Sequence, residues 1–242
     1  MAAPPEGLKA RGRLPHTPMS SIPAPNTEAG KSAKARLKAE LAQAQVVAMG
    51  DYAYVTHPVL DGFPSLDPAF VSALASDCVD LAFPDRAARP PVDGVITVEA
   101  MGIPLAFDFA KDLKVPLFIA RKKEYKVPGE IVVRRRTAYS ESNLSFNGLE
   151  EGKTYWFVDS IISTGATLKA SMLAMKLAGA RLGGCVFLVT KSDEPATEKL
   201  AKMMGAPIFA LLALAVVDAK SESGGELRGF RVRVSDGFSV KP

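Results

Sequence analysis

Apolar and polar residues follow one another along this chain in blocks whose period changes. Gly94-Val95-Ile96-Thr97-Val98, Val115 to Ala120, Thr154 to Val158, Cys185 to Thr190 and Pro207 to Val216 are short apolar runs, the pattern of strands buried on both faces. Between them, Ile103 to Leu113, Thr167 to Leu177 and Glu194 to Met204 carry apolar residues at helical spacing. A charged, turn-rich stretch from Arg121 to Ser145 holds the strand-like Ile131-Val132-Val133, and Phe230 to Val234 reads as a last strand. Strands alternating with helices predict an α/β fold with a doubly wound, mostly parallel sheet, because right-handed βαβ crossovers make successive strands parallel.

Upstream the pattern weakens. Thr27 and Glu28 open a capping pattern into an Ala-, Lys- and Leu-rich stretch, which predicts a helix through Val47 packed at the edge of the core. His57 to Pro68 holds too many Pro and Gly for regular structure, and a helix follows from Pro68 to about Leu81. His57 itself, a lone histidine beside proline, reads as structural. Residues 1–27 carry six prolines and no periodicity, so they are expected to form a flexible, disordered extension. Arg11, Arg13 and scarce acids there also suit an organelle-targeting segment, but Pro4, Pro5, Pro15 and Pro18 would break its amphipathic helix. The expected organisation is one domain over 28–242, with its core at 93–217. A small hood comes from 48–68, and the C-terminal segment is a further candidate for it.

Composition narrows the function classes. Of 242 residues 48% are apolar, enough for one substantial core. No window reaches the ~18 uninterrupted apolar residues of a spanning helix, so a membrane is not expected as a partner. The net charge of +4 is accounted for by residues 1–47, where seven Lys/Arg stand against three Glu. The body is therefore neutral, and nucleic acid is not expected as a ligand of the main site. Cys78 and Cys185 are too few and too far apart for a disulfide framework or metal cluster, and read as buried residues of a reducing, cytoplasmic compartment.

The chemistry concentrates in Val158-Asp159-Ser160-Ile161-Ile162-Ser163-Thr164-Gly165-Ala166-Thr167. An apolar strand ending in an acid, then a hydroxyl- and glycine-rich turn into a helix, builds a phosphate site: free amides and the helix dipole both favour an anion there. The turn lacks the Gly-Lys-Ser/Thr of a Walker A loop. This stretch resembles the type I phosphoribosyltransferase signature, an apolar strand, Asp-Asp, three variable residues and Thr-Gly-Gly-Thr. Thr97-Val98-Glu99-Ala100-Met101-Gly102-Ile103-Pro104, Arg121-Lys122-Lys123-Glu124-Tyr125, Val127-Pro128-Gly129-Glu130 and Tyr139-Ser140 are similar in order and spacing to the archaeal hypoxanthine/guanine branch. The likeness runs from about Asp51 to Val217.

The resemblance implies a purine phosphoribosyltransferase that joins a base to phosphoribosyl pyrophosphate (PRPP), releases pyrophosphate, uses Mg²⁺ carried by PRPP without direct protein ligands, and forms a homodimer. Ser163, Thr164, Gly165, Ala166 and Thr167 would hold the 5-phosphate, and Asp159 would accept the ribose hydroxyls. Ala100, Met101 and Gly102, with Arg121, Lys122 and Lys123, would take pyrophosphate, while Glu124 to Ser142 would close as a flexible loop. Lys191 would donate to the exocyclic oxygen of a 6-oxopurine, and Phe63 would cover the base or else anchor the core. Two positions depart from the signature: Ser160 replaces the second acid and Ala166 a glycine. Glu141 is then the candidate general base beside Asp159 and Ser160. An adenine enzyme, and a catalytically weakened PRPP- or nucleotide-binding regulator, remain the alternative readings.

Overall fold

The computed structural model describes residues 32–49, 52–136, 141–191, 194–218 and 230–242, and Ser32–Pro242 make up one compact unit. The expected extension over 1–27, with Thr27 and Glu28, lies outside the described residues. Ser32 caps helix α1 (Ala33–Ala42), its hydroxyl accepting the Ala35 amide at 3.3 Å. Leu37 and Leu41, one turn apart, are both 0% exposed, so α1 enters the core instead of lying at its edge. The helix stops short of Val47: the β-branched Val46 and Val47 begin β1 (Val46–Met49), which pairs antiparallel with β2 (Tyr52–Val55).

The stretch expected to be irregular contains one helical turn, α2 (Pro58–Asp61). His57 Nδ1 accepts the Val59 amide at 3.3 Å as its cap, and Gly62, at φ 72°, ends it. His57 has the network its sequence context did not suggest, because its Nε2 lies 3.0 Å from Glu40, which also binds Arg36 at 2.8 Å. This ties α2 to α1. Helix α3 (Pro68–Ala82) follows, with Asp67 accepting two first-turn amides and Pro68 at the position where a missing N–H costs nothing.

The remaining elements are β3 (Gly94–Val98), α4 (Gly102–Leu113), β4 (Leu117–Ala120), β5 (Ile131–Arg136), β6 (Glu141–Phe146), β7 (Thr154–Ile162), α5 (Ala166–Leu177), β8 (Arg181–Thr190), α6 (Glu194–Met204), β9 (Ile208–Asp218), β10 (Phe230–Asp236) and β11 (Ser239–Val240). Among the described residues, seven strands form the central sheet in the order β10-β9-β8-β7-β3-β4, with β11 added to β9. Pairs from β9 to β4 are parallel, while β10 and β11 run antiparallel to β9. The doubly wound, mostly parallel α/β sheet is therefore present.

Two apolar layers flank the sheet. One packs α1, α3 and α4 against Trp156, Val158 and Val186; the other packs α5 and α6 against Phe157, Phe187 and Ile208. Both cysteines are buried and free. Three elements differ in extent from those expected. Strand β7 runs on past Val158 to Ile162, β8 begins at Arg181, and the Arg121 to Ser145 stretch is largely an antiparallel hairpin of β5 and β6 instead of a loop. That hairpin forms because Val133 and Leu144 face each other in register and join the second layer. Leu41→Ala should cost about 2–4 kcal/mol in chemical denaturation, as for any fully buried leucine; a loss under about 1 kcal/mol would show that α1 is not part of the core.

Candidate active site

The site is set by where two neighbouring strands part. β3 pairs with β7 only as far as Ile96 opposite Phe157, while β8 stays paired with β7 to Ile162 opposite Thr190. Beyond Phe157 no strand among the described residues pairs with β7 on the β3 side. The chain leaves β3 into α4 on one face and leaves β7 into α5 on the other. Adjacent parallel strands feeding helices to opposite faces open a crevice at their carboxyl ends, the usual ligand site of such sheets.

Asp159 lies in that crevice. Gly102, the first residue of α4, comes so close that a Cβ there would stand 2.1 Å from Thr97 Oγ1 and 2.8 Å from Asp159 Oδ1, so only glycine fits. Thr97 Oγ1 is buried without a hydrogen-bond partner. The Ser160 amide donates to Asp159 Oδ1 at 2.7 Å. Burial pushes the Asp159 carboxyl up to about 7, against the opposing pull of the Ser160 amide and the positive charge of Arg135. Ser160 is 1% exposed and its side chain also bonds to Asp159, so the position that departs from the signature backs the acid instead of reaching into open space.

Both flanking helix starts lack a side-chain cap: α4 begins after Met101 and α5 after Gly165. The Ile103 amide donates to Ala100 O at 3.1 Å, and the other first-turn amides of the two helices gain no acceptor from the capping side chain. Gly165 sits at φ 70° with Leu200 packed under it, so a side chain would be strained as well as crowded. Thr164 Oγ1 lies 3.4 Å from the Ala166 amide, Ser163 precedes it in the turn, Ala166 is the first helical residue, and Thr167 Oγ1 accepts Arg135 Nη1 at 3.3 Å. The Ser163 to Thr167 group is thus brought together around one helix start.

On the other side, the Glu99–Ala100 peptide is cis, and Ala100 and Met101 form the turn into α4. Arg121 Nε donates to Glu99 at 2.6 Å and the Lys122 amide donates to the same carboxylate at 2.5 Å, which holds Glu99 below the usual carboxylate range. Lys123 extends outward, its Nζ 5.8 Å from the Tyr125 ring centroid. Glu130 accepts the Ser145 hydroxyl and the Tyr125 and Lys126 amides, which fastens the loop after β4 to the hairpin.

The base-side candidates are less closely gathered. The Lys191 amide donates to Ile162 O at 2.8 Å, which fixes this residue where β8 ends beside β7. Phe63 is 57% exposed and is not a core anchor; its neighbour Gly62 lies against the Met101 sulfur. Glu141 opens β6 opposite Arg136, and its side chain lies outside the described residues. Among the described residues no group of three metal-ligating side chains occurs. Sequence reading missed Thr97, Glu99 and Arg135; continuing the Ile131-Val132-Val133 alternation to 135 would have flagged the last.

A doubly wound, mostly parallel α/β sheet with a carboxylate in the crevice where two strands part places the chain among open α/β proteins, whose ligand sites lie at such switch points. The profile of the phosphoribosyl transferase domain matches residues 82–212. A hypoxanthine/guanine phosphoribosyltransferase of Ferroglobus placidus is 39% identical over 168 residues, which are 69% of this chain and 86% of that protein. One from Methanocella arvoryzae is 33% identical over 193 residues, 80% of this chain and 94% of that protein. Among solved structures, adenine phosphoribosyltransferase from Thermoanaerobacter pseudethanolicus shares the fold at a TM-score of 0.57 and 19% identity, covering 70% of this chain and 95% of that one. The chain belongs to the phosphoribosyltransferase family.

The raised Asp159 value has a stability consequence with a definite sign. An acid whose folded value is raised destabilises the fold as it ionises, so its cost is absent below its ordinary value of 3.8 and grows until about pH 7. Asp159→Asn should therefore lie within about 0.6 kcal/mol of the parent in urea melts at pH 4 and exceed it by about 1–3 kcal/mol at pH 8, water on the carboxyl's open side screening part of the penalty. A variant less stable at pH 8 than at pH 4, relative to the parent, would contradict the burial argument.

Proposed function

We propose that this phosphoribosyltransferase transfers the 5-phosphoribosyl group of PRPP to a purine base, with 6-oxopurines preferred, as a step of purine salvage. The observation that carries this reading is the pair of uncapped helix starts on either side of Asp159, since PRPP presents a phosphate at each end of a ribose. Ser163 to Thr167 hold the 5-phosphate at the α5 start. Asp159 accepts the ribose hydroxyls, and its ionised form, costly when the crevice is empty, is favoured by those donors.

Ala100, Met101 and Gly102 wrap the pyrophosphate with backbone amides. Arg121, Lys122 and Lys123 supply positive charge to it, and Arg121 exchanges Glu99 for the ligand. The purine nitrogen attacks ribose C1 as the C1–O bond to pyrophosphate breaks, through a cation-like sugar; positioning and stabilisation of the leaving anion do most of the work. The donor set suits a metal held mainly by substrate oxygens, with Asp159 as the nearby carboxylate and no further acid cluster among the described residues. Mg²⁺ brought with PRPP supplies charge neutralisation to the leaving group. The hairpin of β5 and β6 covers the site and excludes water, with Glu141 at its turn as candidate base.

Lys191 donates to the exocyclic oxygen of the base, and Phe63, exposed next to Gly62, covers its face. Residues 48–68 thus act as the hood of a single domain. Ile119 on edge strand β4, with Tyr125 and Val127 just after it, exposes apolar surface that supports a homodimer. No described helix is long and apolar enough to cross a membrane, and the free, buried cysteines suit the reducing cytoplasm. One observation favours a second reading, a nucleotide- or PRPP-binding regulator: Ser160 is buried and adds no second carboxylate to the crevice.

Purified protein with PRPP and Mg²⁺ should release pyrophosphate with hypoxanthine or guanine at least about tenfold faster than with adenine. Lys191→Gln should lower kcat/KM for the 6-oxopurines about 10- to 100-fold and leave adenine nearly unchanged. Faster turnover of adenine would overturn the Lys191 assignment, and PRPP binding without pyrophosphate release for any base would favour the regulator.

A further inference from the structure

Strand β5 is amphipathic with period two: Val133 is 3% exposed, Val132 is 40% exposed, and Arg135 continues the inward series. An arginine on the inner face of a hairpin is an expense that a covering strand does not need. Its guanidinium reaches the α5 start, where Nη1 donates to Thr167 Oγ1 at 3.3 Å, and its positive charge acts on Asp159. Two polar atoms are left over. Arg135 Nε and the Oγ of Ser142 are both buried with no hydrogen-bond partner, and these two residues face each other in the β5–β6 register.

Buried donors in native proteins are nearly always paired, so two unpaired ones side by side point to a missing acceptor. That acceptor must be reachable from Thr167 as well as from the hairpin, and it must suit a cation, a hydroxyl and uncapped helix amides together. A phosphate monoester meets those requirements, and the planar guanidinium fork can bind two of its oxygens at once.

We propose that Arg135, assisted by Ser142, binds the sugar phosphate directly at the α5 start, so that the β5–β6 hairpin is part of the 5-phosphate site. This deepens the PRPP reading and rests on it. The hairpin contributes a ligand to the α5 phosphate site in addition to covering it. Arg135 leaves Thr167 or shares it when the phosphate arrives, and its Nε finds the acceptor it lacks. The added cation also offsets the methyl that Ala166 introduces at the same helix start.

Calorimetric titration of ribose 5-phosphate and, separately, of pyrophosphate tests this on the full chain and its variants. Arg135→Gln should weaken ribose 5-phosphate about tenfold or more and leave pyrophosphate within about twofold. Arg135→Lys should fall between, and Ser142→Ala should weaken ribose 5-phosphate about threefold with no change in melting temperature. Ribose 5-phosphate affinity within twofold of the parent in Arg135→Gln, with a lower melting temperature, would reduce Arg135 to a structural tie and overturn the proposal. So would equal losses for both ligands, which mark a general charge effect. Should Arg135→Gln fail to fold, Arg135→Lys and Ser142→Ala decide by the same criteria. A parent chain that binds neither PRPP nor ribose 5-phosphate would defeat the PRPP reading itself, whereas PRPP binding with unaffected variants defeats this inference alone.

Discussion

The parting of β3 from β7 beyond Phe157 is the constraint on which the rest of the site depends. Parallel strands that separate while their following helices go to opposite faces leave a gap that no side chain of the sheet can fill. Two helix starts then aim at the gap, and the acid that follows Val158 is drawn into it. Gly102 lets α4 begin close enough to shelter that acid, which is why burial raises Asp159 toward neutrality. A site built this way is costly when empty, and in the proposed function the hydroxyls and anionic ends of the substrate would offset that cost.

The two ends of the crevice are not equivalent electrostatically. At the β4 end the cation Arg121 is already matched by Glu99, which also accepts the Lys122 amide, so an entering anion must displace an internal one. At the α5 end Arg135 keeps an unpaired buried nitrogen. The first arrangement suits a group that must leave and the second one that must stay. In the proposed function this difference, and not overall charge, would orient a substrate with two phosphorylated ends, since the body of the chain is nearly neutral.

Much of this was legible in the sequence because it depends on local pattern. The apolar runs and helical periods gave β3, α4, β7, α5, α6 and β9 within a few residues, and the hydroxyl-rich turn put the α5 start at Thr167, one residue past the observed Ala166. The errors have physical causes. Val46 and Val47 were absorbed into a helix because the Ala- and Lys-rich stretch before them has high propensity, whereas β-branching favours the hairpin. The α2 turn was hidden by its prolines, although Pro58 sits where a helix tolerates one. Glu99, Thr97 and Arg135 were not singled out because their roles rest on contacts across long sequence separations, such as Arg135 with Thr167. The burial of Ser160 behind Asp159 was equally beyond reach, since a one-residue change in strand parity decides it.

In the proposed function the crevice between β3 and β7 holds PRPP through both helix starts. Calorimetric titration of PRPP with Mg²⁺ into the parent chain and into Gly102→Val tests it most directly, with circular dichroism to verify folding. One site per chain in the parent, and at least about a hundredfold weaker binding in a folded Gly102→Val, is the expected result, because the added side chain would occupy the space between Thr97 and Asp159. Equal affinity in the two folded proteins would contradict the account.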